Sequence, residues 1–357
     1  MRKATLPVIP LLFLFTFSWT SAAQQPLQRL FYVVDSESSY NALVEHIDQI
    51  SIVAPVAYNV DEDGVVWGGV DPRVLELAKS HGVPVMPLIH NPKFNQEMLT
   101  GLLTSDAARH RAIETLVNEC RRHGYLGIQF DFENLHINDR DHFTRFYRET
   151  ASALHEAGYQ LSIAVVHRPD EYPGPTKYFK WLHKNWRAGY DLKALADAGD
   201  FISVMTYSQH TRRTPPGPNA GIPWVNDNVE YFLKHVPANK LSLGIPVVSQ
   251  HWATEQDDDL YLVNARSWSK SLKHREALAL ADRFGAEVSW LEDQGVPYTF
   301  FENGGLFEWI FLEDARSFAR KLEVVRKNGL RGFSVWVLGH EDPAIWDNLD
   351  PTPHSRD

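Results

Sequence analysis

Residues 127–135 read GIQFDFENL, and this largely apolar stretch contains two carboxylates, Asp131 and Glu133. The run predicts a buried β-strand, because its aliphatic and aromatic side chains need an apolar layer to pack against. Side chains alternate across a strand, so Gln129, Asp131 and Glu133 share one face. Two acids side by side on a buried strand are costly unless they are partnered or functional. The stretch therefore predicts both a strand and a functional site.

Apolar stretches of strand length alternate with amphipathic helical stretches on both sides of this run. Counting them gives eight strands with helical crossovers, which predicts an α/β fold of the (β/α)8 (TIM) barrel type. A doubly wound open sheet is the alternative, but no Gly-rich phosphate loop follows any strand. In a barrel the acidic pair lies at the C-terminal end of strand four, where barrel enzymes place their chemistry. The predicted strands are 30–34, 51–58, 83–90, 127–135, 160–166, 201–207, 241–247 and 332–338.

A long stretch between strand seven and the last helix, residues 251–312, predicts a small α+β insertion. It contains a helical pattern at Arg275–Phe284 and two short apolar stretches, Tyr298–Glu302 and Phe307–Phe311. The sequence Asn303-Gly304-Gly305 between those stretches is typical of a β-hairpin turn. We expect the insertion to form one wall of a cleft.

The first 23 residues have the pattern of a signal peptide. Arg2 and Lys3 precede the apolar stretch Leu6–Trp19, and the small residues 21–23 offer a cleavage point near Ala23. The apolar run is short and contains prolines, which argues against a membrane-spanning helix, although an uncleaved anchor is the alternative. The sequence thus predicts an exported protein, periplasmic or secreted, with a catalytic barrel over residues 24–357.

Composition narrows the classes of function. The chain of 357 residues is 44% hydrophobic and carries a formal charge of −10, which becomes −12 without Arg2 and Lys3. An acidic exported protein is a poor candidate for binding nucleic acid or anionic membranes. Cys120 is the only cysteine, so no intrachain disulfide forms and no cysteine near the cleavage point is available for lipid attachment. We expect no stable membrane insertion.

Several stretches, taken together and in order, carry a family resemblance. They are 126–133, Met205–Tyr207, Gly217–Pro218 with Leu243–Pro246, Phe311–Ser317, and Gly332–Trp336 with Glu341–Pro343. They resemble glycoside hydrolase family 18, the chitinase-like barrels, and are most similar to its spore-germination branch, which acts on peptidoglycan. The family's strand-four signature is DxxDxDxE. Asp131 and Glu133 match its last two acids, whereas Leu126 and Gln129 replace the first two.

The resemblance implies substrate-assisted catalysis, in which the substrate's acetamido carbonyl attacks its own anomeric carbon. Glu133 would protonate the leaving oxygen and then accept a proton from water. Asp131 would orient the acetamido N–H and stabilise the positive ring, with the neutral Gln129 as its hydrogen-bond partner. Repulsion between the two carboxylates should raise one pKa and keep an acid protonated near neutral pH.

Two aromatic residues at strand ends gain roles from the same resemblance. Tyr207, after Met205 at the end of strand six, would hold the acetamido oxygen in line for attack, and Met205 would contact the sugar. Trp336 on strand eight would support the sugar ring. Packing within the barrel is the alternative for both aromatic residues. Ser208 stands where the family commonly has an acid, which leaves a secondary substrate contact in doubt.

Other polar and aromatic residues give weaker signals. Tyr58 and Asn91 end strands two and three and are candidate substrate contacts, although strand-end polar residues also cap loops. His167 and His210 follow strands five and six and are weaker candidates. Sixteen histidines raise the question of a metal site, but no HExxH motif occurs and no metal or other cofactor is implied. The histidines that lack ligand spacing are His81, His90, His123, His136 and His142. Five tryptophans in predicted loops are considered only as a group lining a glycan groove: Trp67, Trp181, Trp186, Trp224 and Trp252.

The sequence therefore predicts a retaining glycosidase whose partner is a polysaccharide or oligosaccharide containing β-linked N-acetylglucosamine, such as chitin oligomers or peptidoglycan. A non-catalytic, lectin-like barrel that binds chitin or another glycan is the alternative from a different class. An enzyme for N-glycan cores or other exopolysaccharides is a third possibility, which differs in the shape of the groove.

Overall fold

The computed structural model describes residues 26–211, 213–255 and 267–351. The predicted signal peptide, residues 1–23, lies outside this range. The strands are β1 (Gln28–Val33), β2 (Ile52–Val60), β3 (Val66–Gly68), β4 (Leu88–His90), β5 (Gly127–Asp131), β6 (Gln160–Val166), β7 (Phe201–Met205), β8 (Leu241–Pro246), β9 (Ser249–Glu255), β10 (Ser267–Leu272), β11 (Ser289–Leu291), β12 (Val296–Asn303), β13 (Leu306–Phe311) and β14 (Gly332–Trp336).

Ten α-helices lie in the described part of the chain. They are α1 (Glu37–His46), α2 (Pro72–His81), α3 (Gln96–Thr104), α4 (Asp106–His123), α5 (Arg140–Glu156), α6 (Lys177–Leu182), α7 (Leu192–Ala198), α8 (Ile222–Leu233), α9 (His274–Arg283) and α10 (Ala315–Lys327). A π-helical turn, His183–Arg187, directly continues α6.

Eight parallel strands close into a barrel, which confirms the predicted fold. Their order is β1-β14-β8-β7-β6-β5-β4-β2, and pairing between β1 and β2 closes the ring, with β3 added antiparallel to β2. Helices follow the strands and cover the outside of the barrel, as in other (β/α)8 folds. The strand that carries Asp131 is the fourth in the ring, as predicted.

Strand β4 is shorter than its predicted range of 83–90. Pro84 and Pro87 lie in that range and have no N–H to donate to a ladder. The chain still runs beside its neighbours there, because Val53 donates to Pro84 O and Met86 donates to Val53 O. The prolines therefore interrupt the regular ladder without moving the chain out of the barrel.

Strand β5 shows the predicted alternation. Phe130 packs outward against α5, where its ring centroid lies 5.3 Å from that of Phe146. Gln129 points into the barrel, where its amide donates to Ser162 Oγ at 3.0 Å and Ser203 Oγ at 3.4 Å. The inside of the barrel thus holds a fully buried polar layer directly beneath Asp131.

The insertion forms a five-stranded antiparallel sheet of order β10-β9-β13-β12-β11, with α9 beside it. It begins at Ser249, two residues before the predicted start, and its hairpin β12–β13 turns at Gly304 as predicted. Gln250 and Ser271 from this sheet line the cavity described below, so the insertion does form a wall. Among the described residues, none of the helices has the length and apolarity needed to cross a membrane.

Candidate active site

Asp131 and Glu133 lie together at the C-terminal mouth of the barrel. Both line a cavity of about 250 Å³, the first cavity, whose other walls include Tyr32, Tyr207 and Trp336. Asp131 is the last residue of β5 and is 9% exposed. Glu133 follows two residues later, beyond the end of the ladder, on the same side of the chain. The pair therefore faces an open space large enough for ligand groups instead of a packed core.

The backbone that carries Glu133 is held from two sides. Its N–H donates to Asn91 Oδ1 at 3.1 Å, and its carbonyl accepts from Asn91 Nδ2 at 3.0 Å. The preceding carbonyl, of Phe132, accepts from the hydroxyl of Tyr190 at 2.6 Å. Asn134 follows with φ of 56°, a left-handed conformation that asparagine tolerates better than most residues. These contacts fix the position of the Glu133 carboxyl through its main chain.

Burial dominates the electrostatics of the pair. It raises the pKa of Asp131 to about 7. It also raises the pKa of Glu133 well above its ordinary value, and the neighbouring Asp131 charge raises it further. Two carboxyls with raised pKa values share their protons unevenly, so one stays protonated at neutral pH while its neighbour ionises. The site therefore has both an acid and a carboxylate available at the same pH.

Two tyrosine hydroxyls face the same cavity. Burial raises the pKa of Tyr32 and of Tyr207, and the Asp131 charge adds to the effect, so both remain protonated donors. Asp131 Oδ1 has no hydrogen-bond partner among the described residues. Buried polar atoms are normally satisfied, so this oxygen is an exception in a residue that lines the cavity.

Trp336 ends β14 and forms an aromatic wall with Tyr207. Their ring centroids are 6.4 Å apart with an interplanar angle of 24°. The Tyr32 ring also packs against the indole, with 5.6 Å between the ring centroids. Met205 lines the cavity at the end of β7. The structure therefore brings five residues singled out in the sequence to one place: Asp131, Glu133, Met205, Tyr207 and Trp336.

Three other candidate contacts lie elsewhere. Tyr58 points away from the barrel interior, and its hydroxyl donates to Glu119 at 2.7 Å and lies 3.0 Å from the Tyr125 hydroxyl. The expectation that it contacts substrate is wrong, because this ring packs beneath α4. Asn91 is buried and uses its amide on the Glu133 backbone, so it does not line the cavity.

Gln129 is the third correction. Sequence analysis made it the hydrogen-bond partner of Asp131, but its amide nitrogen donates to the serines of the buried layer. Its Oε1 and the Asp131 Oδ1 both lack partners within the described residues. Gln129 is fully buried beneath the acids and does not reach the cavity.

Ser208 lies at the same mouth in a left-handed conformation, with φ of 60°. Its N–H donates to Asn219 Oδ1 at 2.7 Å, and Asn219 Nδ2 donates in turn to Val248 O at 3.0 Å. Asn219 thus joins the loops that follow β7 and β8. Sequence reasoning missed Asn219 and Tyr190, since neither belongs to a motif and each acts through backbone groups of other loops.

A second cavity, of about 340 Å³, adjoins the first. The two share Glu133, Met205, Tyr207 and Ser208, but Asp131 and Trp336 line only the first. The second cavity lies among the loops after β6 and β7, and its walls are aromatic and cationic: Tyr178, Phe179, Trp186, Arg187 and Arg213. Glu133 therefore stands at the junction of two adjoining spaces.

The weaker candidates are scattered. Trp186 and His167 line the second cavity, whereas His210 bonds its own loop at Pro215 O. Trp252 is fully buried in the insertion sheet. Trp67, Trp181 and Trp224 line neither cavity, so the tryptophans do not form one groove. Within the described ranges, no three His, Cys, Asp or Glu side chains are grouped so as to hold a metal ion.

Comparisons with known proteins agree with this geometry. The model of the glycosyl hydrolases family 18 matches residues 37–341. The cortical fragment-lytic enzyme of Bacillus subtilis is 26% identical over 87% of this chain and 70% of its own length. A chitinase from Chromobacterium violaceum superposes with a TM-score of 0.79 at 26% identity, covering 90% of this chain and 97% of that one. The spore cortex-lytic enzyme of Bacillus cereus gives a TM-score of 0.81 at 21% identity, covering 93% and 76%.

Proposed function

The chain belongs to the glycosyl hydrolases of family 18, and from this premise we propose that it hydrolyses β-linked N-acetylglucosamine-containing glycans with retention of configuration, using Glu133 as acid and base. The family and the likeness to its spore-germination branch, both predicted from the sequence, are confirmed. The chain is accordingly a glycoside hydrolase. The substrate, the mechanism and the roles of single residues are the content of the proposal.

One observation carries the proposal: Glu133 stands at the junction of two cavities, and Asp131 faces only one of them. A general acid must reach the oxygen between two sugars, so it belongs at the boundary between their binding sites. The sugar that reacts then occupies the first cavity, with Asp131 and Trp336. The leaving group occupies the second cavity.

The proposed reaction begins with the substrate's own acetamido group. Its carbonyl oxygen attacks the anomeric carbon while the bond from that carbon to the leaving oxygen breaks, and Glu133 protonates the leaving oxygen. Asp131 accepts a hydrogen bond from the acetamido N–H and stabilises the positive charge of the resulting oxazolinium. The Tyr207 hydroxyl holds the acetamido oxygen in line for attack. These two groups supply orientation and charge stabilisation from fixed positions at the barrel mouth.

The second half returns the enzyme to its starting state. Water attacks the anomeric carbon from the side that the leaving group has vacated and gives its proton to Glu133, and the bond from that carbon to the acetamido oxygen breaks. Two displacements at one carbon restore its original configuration. A raised pKa of Glu133 suits both halves of the reaction. A carboxyl that must donate a proton and then accept one works best when its pKa lies near the working pH.

Export is part of the same proposal. The pattern of residues 1–23 supports cleavage near Ala23, and release into the periplasm or medium would bring the enzyme to a cell-wall or extracellular glycan. N-terminal sequencing of the mature protein tests this. A mature chain that still begins at Met1 would refute it.

Turnover of N-acetylglucosamine oligomers and of purified peptidoglycan by the wild type and by Glu133→Gln, with products resolved by mass, tests the main proposal. We expect cleavage by the wild type and a loss of several orders of magnitude in the variant. Oligomers that lack the N-acetyl group should not be cleaved, because they have no nucleophile. Binding of oligomers by both proteins with turnover by neither would identify a sugar-binding barrel instead.

A further inference from the structure

The second cavity carries positive charge on a chain that is acidic overall. Arg187 and Arg213 both line it, whereas the formal charge of the whole chain is −10. Among the described residues that line it, Glu133 supplies the one carboxyl, and burial raises the pKa of that carboxyl. The cavity is therefore a local cationic site next to the general acid.

Arg187 is partly buried and forms no ion pair among the described residues, although the charge of Asp170 on the same loop acts on it. Its Nη2 donates to His167 Nε2 at 3.0 Å, and no carboxylate of the described residues lies within 4.0 Å of its guanidinium. Burial and the arginine charge together lower the pKa of His167 to about 3, so this imidazole is neutral. Arg168, on the same loop, is by contrast paired with Glu171. A partly buried guanidinium that has no ion pair and faces a neutral imidazole can bind an anion from outside the protein.

Arg213 approaches the cavity from the opposite loop. Its guanidinium lies 5.9 Å from the ring centroid of Tyr178, and no ion pair is seen for it in the ranges that the structure describes. This contact places a second guanidinium, with its N–H donors, beside the wall that Tyr178 and Trp186 form. An aromatic wall beside cations suits a sugar ring that carries an acidic substituent.

Ser208 removes a source of repulsion at this place. It lines both cavities where the family pattern commonly has an acid. An acid there would face any anion that Arg213 and Arg187 attract, whereas a hydroxyl is neutral and can itself donate a hydrogen bond. Three features of this chain thus favour a negatively charged group on the leaving-group side.

We propose that the second cavity is a carboxylate-binding subsite in which Arg187 and Arg213 hold an acidic substituent of the leaving-group sugar. The preferred substrate is then an N-acetylglucosaminyl glycan whose next sugar carries a carboxylate, as the lactyl group of N-acetylmuramic acid does. Uncharged N-acetylglucosamine polymers offer no partner for these cations. This inference rests on the proposed function, because the cavity is assigned to the leaving group by the position of Glu133.

Matched substrates test the subsite. One is an N-acetylglucosamine oligomer, the second a glycan of equal length in which N-acetylmuramic acid with a free lactyl carboxylate follows the cleaved bond. In the third substrate, the lactyl carboxyl is joined by an amide bond to a short peptide, which carries carboxylates of its own. The ratio of kcat/KM for each acidic substrate to that for the neutral one is measured in the wild type and in Arg213→Gln and Arg187→Gln. Arg283→Gln is the matched control, since Arg283 is exposed, lies over the Phe284 ring at 5.6 Å and lines neither cavity.

We expect the wild type to prefer an acidic substrate. Arg213→Gln should lower the ratio of kcat/KM values, acidic over neutral, about tenfold, because it removes one charge-assisted hydrogen bond. Arg283→Gln should leave the ratio unchanged, and added salt should lower it in the wild type. The acidic substrate that shows the effect identifies the lactyl or the peptide carboxylate as the ligand. Melting temperatures show whether Arg187→Gln still folds, and Arg213 is exposed enough that its variant does not depend on this.

Equal ratios in the wild type and Arg213→Gln, or a wild type that prefers the neutral oligomer, would overturn the subsite while leaving the glycosidase intact. A wild type that cleaves none of the three substrates would instead overturn the proposed function. Calorimetric binding of the same substrates to that inactive protein then decides the subsite, since equal affinity for acidic and neutral glycans contradicts it.

Discussion

The side chain of Asn91 forms two hydrogen bonds with the main chain of Glu133, accepting from its N–H at 3.1 Å and donating to its carbonyl at 3.0 Å. Asn91 follows β4 and Glu133 follows β5, so this amide joins two neighbouring strand ends. It replaces the ladder pairing that stops at Asp131. The position of Glu133, the proposed general acid, thus depends on a residue that does not line the cavity.

The first prediction follows from this pairing. In Asn91→Ala the Glu133 backbone loses both bonds, so its carboxyl should move and kcat should fall by roughly tenfold to a hundredfold with little change in KM. Loss of a buried amide also costs about 1–3 kcal/mol of stability. The control is Asn228→Ala, which removes a buried amide that is bonded to Trp224 O and lines neither cavity. Equal losses of kcat in the two folded variants would show that Asn91 is merely structural.

The second prediction separates two tyrosines. Tyr207→Phe removes the hydroxyl that faces the first cavity and should lower kcat by about tenfold to a thousandfold, because the acetamido group is no longer held for attack. Tyr58→Phe removes the hydroxyl bonded to Glu119 and should lower stability by about 1 kcal/mol with kcat intact. Steady-state kinetics and thermal melts distinguish the two. A kcat loss in Tyr58→Phe would restore that residue as a substrate contact.

The direction of Tyr58 shows where sequence reasoning fails. Strict alternation along β2 places Ala54 and Val56 inside the barrel and predicts the same for Tyr58. The register of β2 against β4 shifts between Val56 and Tyr58, so that two residues oppose one step of the partner. This irregularity sends Tyr58 into the outer core instead. Nothing in the local sequence marks it, because it depends on how two strands meet.

Strand β5 was predictable because its pattern is local. Phe130 and Gln129 alternate without interruption, and the structure places them outside and inside the barrel as expected. The depth of Gln129 was not predictable, since it depends on the stagger of the closed barrel. Ser162 and Ser203 reach its amide from neighbouring strands, and Asp131 lies one step nearer the mouth. The alternation within one strand determines which side of the sheet a residue faces, whereas the stagger of all eight strands determines how deep in the barrel it lies.

The loop residues were the least predictable. Arg187 and Arg213 are 26 positions apart and belong to no motif, yet both line one cavity. Long loops after barrel strands carry function because the barrel brings their ends together. Only a three-dimensional structure shows which loop residues meet.

The third prediction concerns the stretch Phe311–Ser317, which carried part of the family resemblance. Glu313 and Lys321 form a buried ion pair at 2.7 Å, and Ser317 also donates to Glu313 at 2.8 Å. Lys321→Met leaves the Glu313 carboxylate buried without its cation and should lower the free energy of unfolding by about 3–5 kcal/mol.

The exposed pair between Lys193 and Asp197 provides the control, with the same 2.7 Å separation. Lys193→Met should change stability by less than about 0.5 kcal/mol, because solvent screens an exposed pair. Chemical denaturation measures both variants. Similar losses in the two would show that burial does not decide the strength of these ion pairs here.

The last prediction uses pH. Burial raises the pKa of Asp131 to about 7 in the folded protein, far above its value in an unfolded chain. The folded state therefore binds protons more tightly than the unfolded state between about pH 4 and pH 7, so the stability of the wild type falls as pH rises through that window. Asp131→Asn removes the titrating carboxyl and therefore removes this fall in stability with rising pH. It should be more stable than the wild type at pH 8, by about 1–3 kcal/mol, and gain nothing at pH 4.

The same variant should alter the pH profile of its residual activity. The Asp131 charge contributes to the raised pKa of Glu133, so its removal should lower the pKa of this proposed general acid. The alkaline limb of kcat/KM then moves to lower pH, because Glu133 loses its proton earlier. Unfolding curves at pH 4 and pH 8 and a pH–rate profile measure both effects on one protein. A stability gain independent of pH would mean that packing alone separates the variant from the wild type. An unmoved alkaline limb would mean that the two carboxyls titrate independently.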